Sequence, residues 1–217
     1  MKAFAINLAP GWLQFDLLGD IDEQIARFAR SVWNNAPPAT RARAEAAVKE
    51  GFGPLFTGLA DGGAVAVILA AKPFDGLVVQ PMAVVMPLNA PEGQTPLDLM
   101  VAVAASDPSA TVVDLDDLVG LRVMSVADAS ERVRSGLTDA AAIVGATLVP
   151  DDDGRSFDDV AAADTRVRYF IGDPGDEERW VDVLMSVSHT SLPGSEELAD
   201  ASVELFDAMV STFRWVS

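Results

Sequence analysis

The sequence predicts an α+β domain: a mainly antiparallel sheet with helices packed on its faces, ending in a C-terminal hairpin and a long terminal helix. Three observations predict it. Between Arg166 and Ser188 two runs alternate apolar and polar side chains around the turn Asp173-Pro174-Gly175-Asp176. From Ser195 to Trp215 apolar residues recur at helical spacing. Elsewhere, strand-like runs are grouped and joined by short turns, which implies antiparallel pairing rather than parallel crossovers.

The hairpin is the clearest element. In Arg179–Ser188, Val181, Val183, Met185 and Val187 alternate with Asp182, Leu184, Ser186 and Ser188, the period of a strand with one apolar face. In Arg166–Ile171, Val167, Tyr169 and Ile171 share a face, opposite Arg166, Arg168 and Phe170. Pro-Gly at the turn fits type II, with a positive φ at Gly175. In the helix, Leu198, Ala201, Leu205, Met209 and Phe213 form the apolar stripe, widened by Phe206 and Val210. Ser195 is the expected N-cap, with Glu196 and Glu197 suiting the helix dipole.

The rest follows in chain order. Phe4–Leu18 reads as extended, kinked at Pro10-Gly11. Asp20-Ile21-Asp22-Glu23 resembles a capping box before a helix with Ile21, Ile25, Phe28, Ala29 and Val32 on one face. A second helix is expected over Thr40–Phe56, weakened at its end by Gly51, Gly53 and Pro54, with Ala60–Gly63 as loop. Ala64–Ala71 and Leu77–Met86 read as strands, and Pro81 points to an edge or bulge. Thr95-Pro96 starts a helix whose inner face is Leu97, Met100, Val101 and Ala104. Ala110–Leu115 and Leu118–Ala127 are strands turning at Asp116-Asp117, or at Gly120. Ala129–Leu137 fits neither element clearly, Ala140–Val149 reads as a strand, and Asp151–Asp164 as a polar loop. No internal repeat or long linker interrupts the chain, so residues 1–217 read as one α+β domain.

Half the residues are apolar, ample for a core. Cysteine is absent, which excludes disulfides, thiolate metal sites and cysteine nucleophiles. The net charge is −18, and residues 1–60 are neutral, so the excess lies in residues 61–217. Such a surface repels phosphate, and nucleic acid is not an expected partner. The cation-rich stretch Arg27–Lys49, with Arg30, Arg41 and Arg43, reads as a solvated helical face. No apolar run is long enough to span a membrane, no secretory signal is visible, and the expected location is the cytoplasm.

Catalytic signatures are missing. His189 is the only histidine, and no Gly-x-Ser-x-Gly sequence accompanies it; hydrolysis at His189 is the third reading. Asp151-Asp152-Asp153-Gly154 fails the EF-hand pattern, with Arg155 at the fifth position and Ala162 at the twelfth. Gly-rich phosphate loops are absent, and one histidine without cysteine does not make a zinc site. No metal or cofactor is expected. Tyr169-Phe170-Ile171-Gly172-Asp173 matches a Tyr-x-x-x-Asp export signal, but its tyrosine falls in a strand.

Pro10-Gly11-Trp12 entering a strand, and a terminal helix ending Leu205-Phe206-Asp207-Ala208-Met209-Val210-Ser211-Thr212-Phe213, resemble PsbP-like domains and similar small actinobacterial proteins. The resemblance covers the two ends and implies an antiparallel sheet between helices, with adaptor or binding roles and no shared catalytic set. The leading expectation is a non-enzymatic protein-binding adaptor, accessory subunit or assembly factor acting through an acidic surface. Trp180 and Trp215 are the candidate partner-binding aromatics, set against burial in the core, which is the favoured expectation for both. The alternative is a small-molecule or lipid binder with a cavity between sheet and helices, lined by Met82, Met86, Met100 and Met124.

Overall fold

The computed structural model describes residues 3–70, 81–135, 138, 161–191 and 194–216. The fold is α+β. Strands β1 (Phe4–Ala5) and β2 (Trp12–Asp16) lead into helices α1 (Ile21–Val32) and α2 (Pro38–Asp61). Strands β3 (Ala66–Ala70) and β4 (Met82–Pro87), helix α3 (Pro96–Ser106) and strands β5 (Thr111–Leu115) and β6 (Leu118–Asp128) follow. The hairpin β7 (Ala162–Asp173) and β8 (Asp176–Thr190), helix α4 (Ser195–Val210) and β9 (Arg214–Trp215) complete the order. Seven strands form an antiparallel sheet in the order β2-β3-β4-β8-β7-β6-β5, and β1 pairs with β9. No helix among the described residues is long and apolar enough to cross a membrane.

The central strands of the sheet are buried on both faces, and strand alternation decides which residues go where. One face carries Ile68, Val85, Val167, Tyr169, Ile171, Val183 and Met185 against Phe206, Met209 and Val210 of α4. On the other face Phe15, Val67, Leu69 and Val84 meet α1 and α2. Farther along that face Leu121, Phe170 and Trp180 meet Met100 of α3.

The hairpin keeps the expected faces but runs longer at both ends. Its turn differs. Gly175 is not among the glycines with positive φ; instead the Asp173 carboxylate accepts from the Gly175 N–H at 2.9 Å, an Asx turn. Residues 162–164, expected in the polar loop, pair with β8; residues 151–160 lie outside the described residues, as does the expected strand Ala140–Val149. In the other expected hairpin, Asp116-Asp117 is the turn, with Asp116 at φ +57°. Gly120 lies within β6, paired with Val113.

Helix α2 continues through Gly51, Gly53 and Pro54 to Asp61. Packing overrides propensity here. Phe52 and Phe56 of α2 join Phe15 and Phe28 in an aromatic cluster with centroid spacings of 5.0 to 6.4 Å. The strand expected at Leu77–Met86 is seen as Met82–Pro87, with residues 77–80 outside the described set. It is central rather than an edge, which Pro81 permits because it precedes the first paired residue.

Helix α3 starts as read: Thr95 and Asp98 form a reciprocal capping box. Its inner face is rotated from the expected one. Pro96 and Met100 are buried and Leu99 and Val103 pack beside them, while Leu97 and Val101 face outward. Helix α4 is rotated in the opposite sense, burying Ala199, Ser202, Val203 and Phe206 and exposing Ala201. Its cap is Gly194 at φ +82°, not Ser195. The Ser195 hydroxyl turns inward and accepts from the Thr190 N–H at 3.1 Å. The helix stops at Val210, short of Trp215. Thr212 donates its hydroxyl to the Met209 carbonyl at 2.7 Å and accepts from the Asn7 N–H at 2.8 Å. That closes the helix end and leaves Arg214–Trp215 free to pair with Phe4–Ala5.

Candidate functional site

On the sheet face away from α4, β7 and β8 carry a polar row. Arg166, Arg168, Asp182, Ser186, Ser188 and Asp164 alternate with the core residues, so the hairpin pleat sends them together to that side. The Asp164 side chain is 2% exposed. It accepts from Ser186 Oγ at 2.7 Å, Ser188 Oγ at 3.0 Å and Arg166 Nε at 2.8 Å, and Arg132 lies 3.3 Å away. Burial alone would raise its pKa. The hydroxyls and guanidinium groups outweigh burial and hold the carboxyl below its usual value. Asp182 accepts from Arg168 Nε at 2.9 and 3.0 Å, and the Arg168 guanidinium sits 4.6 Å above the Phe170 ring. An open groove of about 620 Å³ borders the row, lined by Asp128, Glu131, Arg132, Asp164 and Arg166. Both serines donate to Asp164 and both of its arginines are ion-paired. The row therefore offers neither an activated nucleophile nor an uncommitted cation.

Toward α4, Tyr169 donates its hydroxyl to Asp207, which also accepts from Arg122 Nε at 3.1 Å. Burial, with Asp207 adding to it, pushes the Tyr169 phenol well above its usual pKa. This keeps the hydroxyl protonated and ties α4 to β6 and β7.

His189 lies within β8, not after it. Its ring faces Thr165, with Nε2 3.4 Å from the Thr165 hydroxyl. Its Nδ1 is buried without a hydrogen-bond partner among the described residues. A pocket of about 300 Å³ opens beside it, lined by Ala161, Thr190, Ser191, Glu196 and Glu197. Ser188 and Asp164 point to the opposite sheet face and bond to each other. Although Ser191, Glu196 and Glu197 share the pocket with His189, the histidine makes no hydrogen bond to a serine or an acid among the described residues, of the kind a hydrolytic triad requires. No group of metal-ligating side chains suited to a metal ion occurs among the described residues.

The four methionines are dispersed. Met82 and Met86 pack against the α1–α2 side, Met100 belongs to the α3 cluster, and Met124 is 37% exposed. They do not line one cavity. Trp180 is 3% exposed, enclosed with Leu88, Met100, Leu121 and Phe170, so its ring is core and not contact surface. Trp215 is half-buried against Phe213, at a centroid spacing of 5.1 Å.

A feature that periodicity did not single out lies at the β5 end of the sheet. Glu92, Asp98, Asp107, Asp114, Asp116 and Asp117 are the only charged residues between Leu88 and Leu121. Asp98 and Asp107 are held below their usual pKa by hydrogen bonds from Thr95 and Ser109 respectively. Asp114, Asp116 and Asp117 make no ion pair among the described residues. Val112, on β5 itself, is 83% exposed. The signal that could have found this end was the absence of any cation over that span.

Fold and side-chain geometry together define an α+β protein built on an antiparallel sheet, in which Arg122, Arg166, Arg168 and Arg179 of the seven-stranded sheet are paired to acids of the chain and the β5 end carries acids without ion pairs among the described residues. Compared with known proteins, the chain matches no family model, no curated protein and no solved structure.

Proposed function

We propose that the chain is a non-enzymatic protein-binding domain, an adaptor, accessory subunit or assembly factor, that meets its partner through its acidic surface around β5. The observation that carries this reading is the distribution of charge pairing. Arg122, Arg132, Arg166, Arg168 and Arg179 are each paired to acids of this chain. The β5 end has no cation of its own, so its field projects into solvent and favours encounter with a basic surface. The PsbP-like resemblance of the chain ends points the same way, toward binding rather than catalysis.

The test is affinity capture of the tagged chain from its native cells at low and high salt. A stoichiometric partner lost at high salt, and lost also by an Asp114→Asn, Asp116→Asn, Asp117→Asn variant at low salt, is the expected result. Absence of any partner at either salt would overturn the proposal. A partner that survives high salt and the triple variant would show an interface elsewhere.

A further inference from the structure

We propose that β5 is a docking edge, which takes an extended basic segment of a partner protein as an added strand. This inference rests on the partner-binding reading above and specifies how that partner is held.

The backbone supplies the first part of the argument. The β5–β6 hairpin closes on Leu115↔Leu118 around Asp116-Asp117, and Thr111↔Arg122 and Val113↔Gly120 follow in register. In a hairpin closed by a two-residue turn these are the pairs that exchange hydrogen bonds. Val112 and Asp114 lie between them and so direct their N–H and C=O groups away from β6. The Met124 N–H confirms the alternation, since it points to the β5 side and donates to Ser109 Oγ at 3.3 Å. Among the described residues the sheet ends at β5, so these groups meet no strand. The opposite edge is treated differently. On β2, the Asp16 N–H is taken by Gln24 Oε1 at 2.8 Å, and Trp12 and Phe15 are buried.

Charge selects the occupant. An open edge ordinarily invites a second copy of the same edge, but here a second β5 would bring Asp114, Asp116 and Asp117 against their own kind. A basic strand finds complementary charge at the same place. An amphipathic helix would need a groove, whereas β5 offers a line of backbone donors and acceptors, the requirement for strand addition. Val112 and Asp114 are two residues apart and share the sheet face of Leu121. The occupant therefore carries an apolar residue and a lysine or arginine two residues apart.

The experiment uses the full chain and a synthetic peptide of about ten residues, in which threonine alternates with lysine or valine; the control peptide has glutamate for lysine. On titration, the amide resonances of Val112 and Asp114 should shift, and their hydrogen exchange should slow by about ten-fold or more. The control peptide should do neither. Val112→Pro removes an outward N–H without removing a bond to β6, so the sheet is retained, and it should weaken the peptide about ten-fold. Asp114→Lys should weaken it at least as much. Binding unchanged in Val112→Pro, or no binding near 1 mM peptide, would overturn the inference. Protection of Val112 that grows with protein concentration alone would assign the edge to a second copy and also overturn it. A cellular partner captured equally by the native chain and Val112→Pro would leave the partner-binding reading standing and remove this one.

Discussion

Gly172→Ala is a direct test of how the hairpin and the α3 cluster fit together. Gly172 is paired across the hairpin with Trp180, next to a register shift in β7. A Cβ added there would lie 2.0 Å from Trp180 Cδ2, 2.1 Å from Cε3 and 2.5 Å from Cε2. Ordinary carbon contacts are about 3.5–4.0 Å, so the indole would have to retreat by about 1.5 Å. It has no space to do so, being 3% exposed among Leu88, Met100, Leu121 and Phe170. Overpacking of this kind costs about 1–3 kcal/mol, and with the neighbours fixed we expect the upper half of that range. The better strand propensity of alanine returns about 0.5–1 kcal/mol. The net expectation is about 2 kcal/mol of destabilisation, read as a lower urea midpoint by far-UV circular dichroism with an unchanged slope. Because the cost comes from one contact, Trp180→Leu should absorb it. In a double-mutant cycle the coupling between the two positions should approach 2 kcal/mol. A Gly172→Ala variant within 0.5 kcal/mol of the native chain, or strictly additive costs, would refute the reasoning.

Four further outcomes are expected. Asp164→Ala leaves Arg166 and Arg132 facing a buried gap, and should cost about 3 kcal/mol by urea unfolding. Asp164 is held below its usual pKa in the fold, so its stabilisation is complete above the unfolded value, near 4, and is lost as pH falls through the folded one. The melting temperature should therefore drop below about pH 4, and the acid limb should be shallower in Asp164→Asn. Tyr169→Phe removes the donor to Asp207 and should cost about 1–2 kcal/mol by the same unfolding measurement, with less effect when Asp207→Asn is already present. Thr95→Ala opens the capping box of α3 and should cost about 1 kcal/mol, visible as faster hydrogen exchange over the first turn.

The parts of the fold legible in the sequence are those where the side-chain period coincides with burial. Val181, Val183, Met185 and Val187 alternate in the sequence and are all buried; Thr95 and Asp20 cap α3 and α1 as their chemistry dictates. What was not legible depended on distant residues. In α2, Gly51, Gly53 and Pro54 argue for an end, but Phe15 and Phe28 of other elements hold the helix through them. In α3 and α4 the stripe is broad enough to allow two neighbouring rotations, and only the sheet beneath decides between them. Leu97 and Ala201 lost that choice to Leu99 and Ala199. The candidate site followed the same rule. Burial of Trp180 is the favoured expectation of the sequence and is seen, but its contact with Gly172 across the hairpin is set by a register that composition does not reveal. The buried Asp164 cluster arises only once Ser186, Ser188 and Arg132 are brought to it.

The hairpin register shows why local reading stops where it does. At the tip Asp173 pairs with Asp176, but one residue farther in, Gly172 pairs with Trp180 and Ile171 with Val181. A hairpin continued without that shift would place Ile171 opposite Glu178. An odd offset reverses the face of every later residue on one strand, turning Val181, Val183 and Met185 toward the polar side and Asp182 into the α4 core. The shift therefore lets an Asx turn at the tip coexist with an apolar face beneath α4. Trp180 is the first paired residue beyond it on β8, and Gly172 gives the indole the space it needs across the strand pair. The same register brings Arg168 beside Asp182 and Ser186 and Ser188 to Asp164. The arginines of the hairpin are engaged by its own acids, while Asp114, Asp116 and Asp117 make no ion pair among the described residues. Core register and surface charge are in this sense one arrangement: the offset that fixes the core also sets Arg168 against Asp182 on the opposite face.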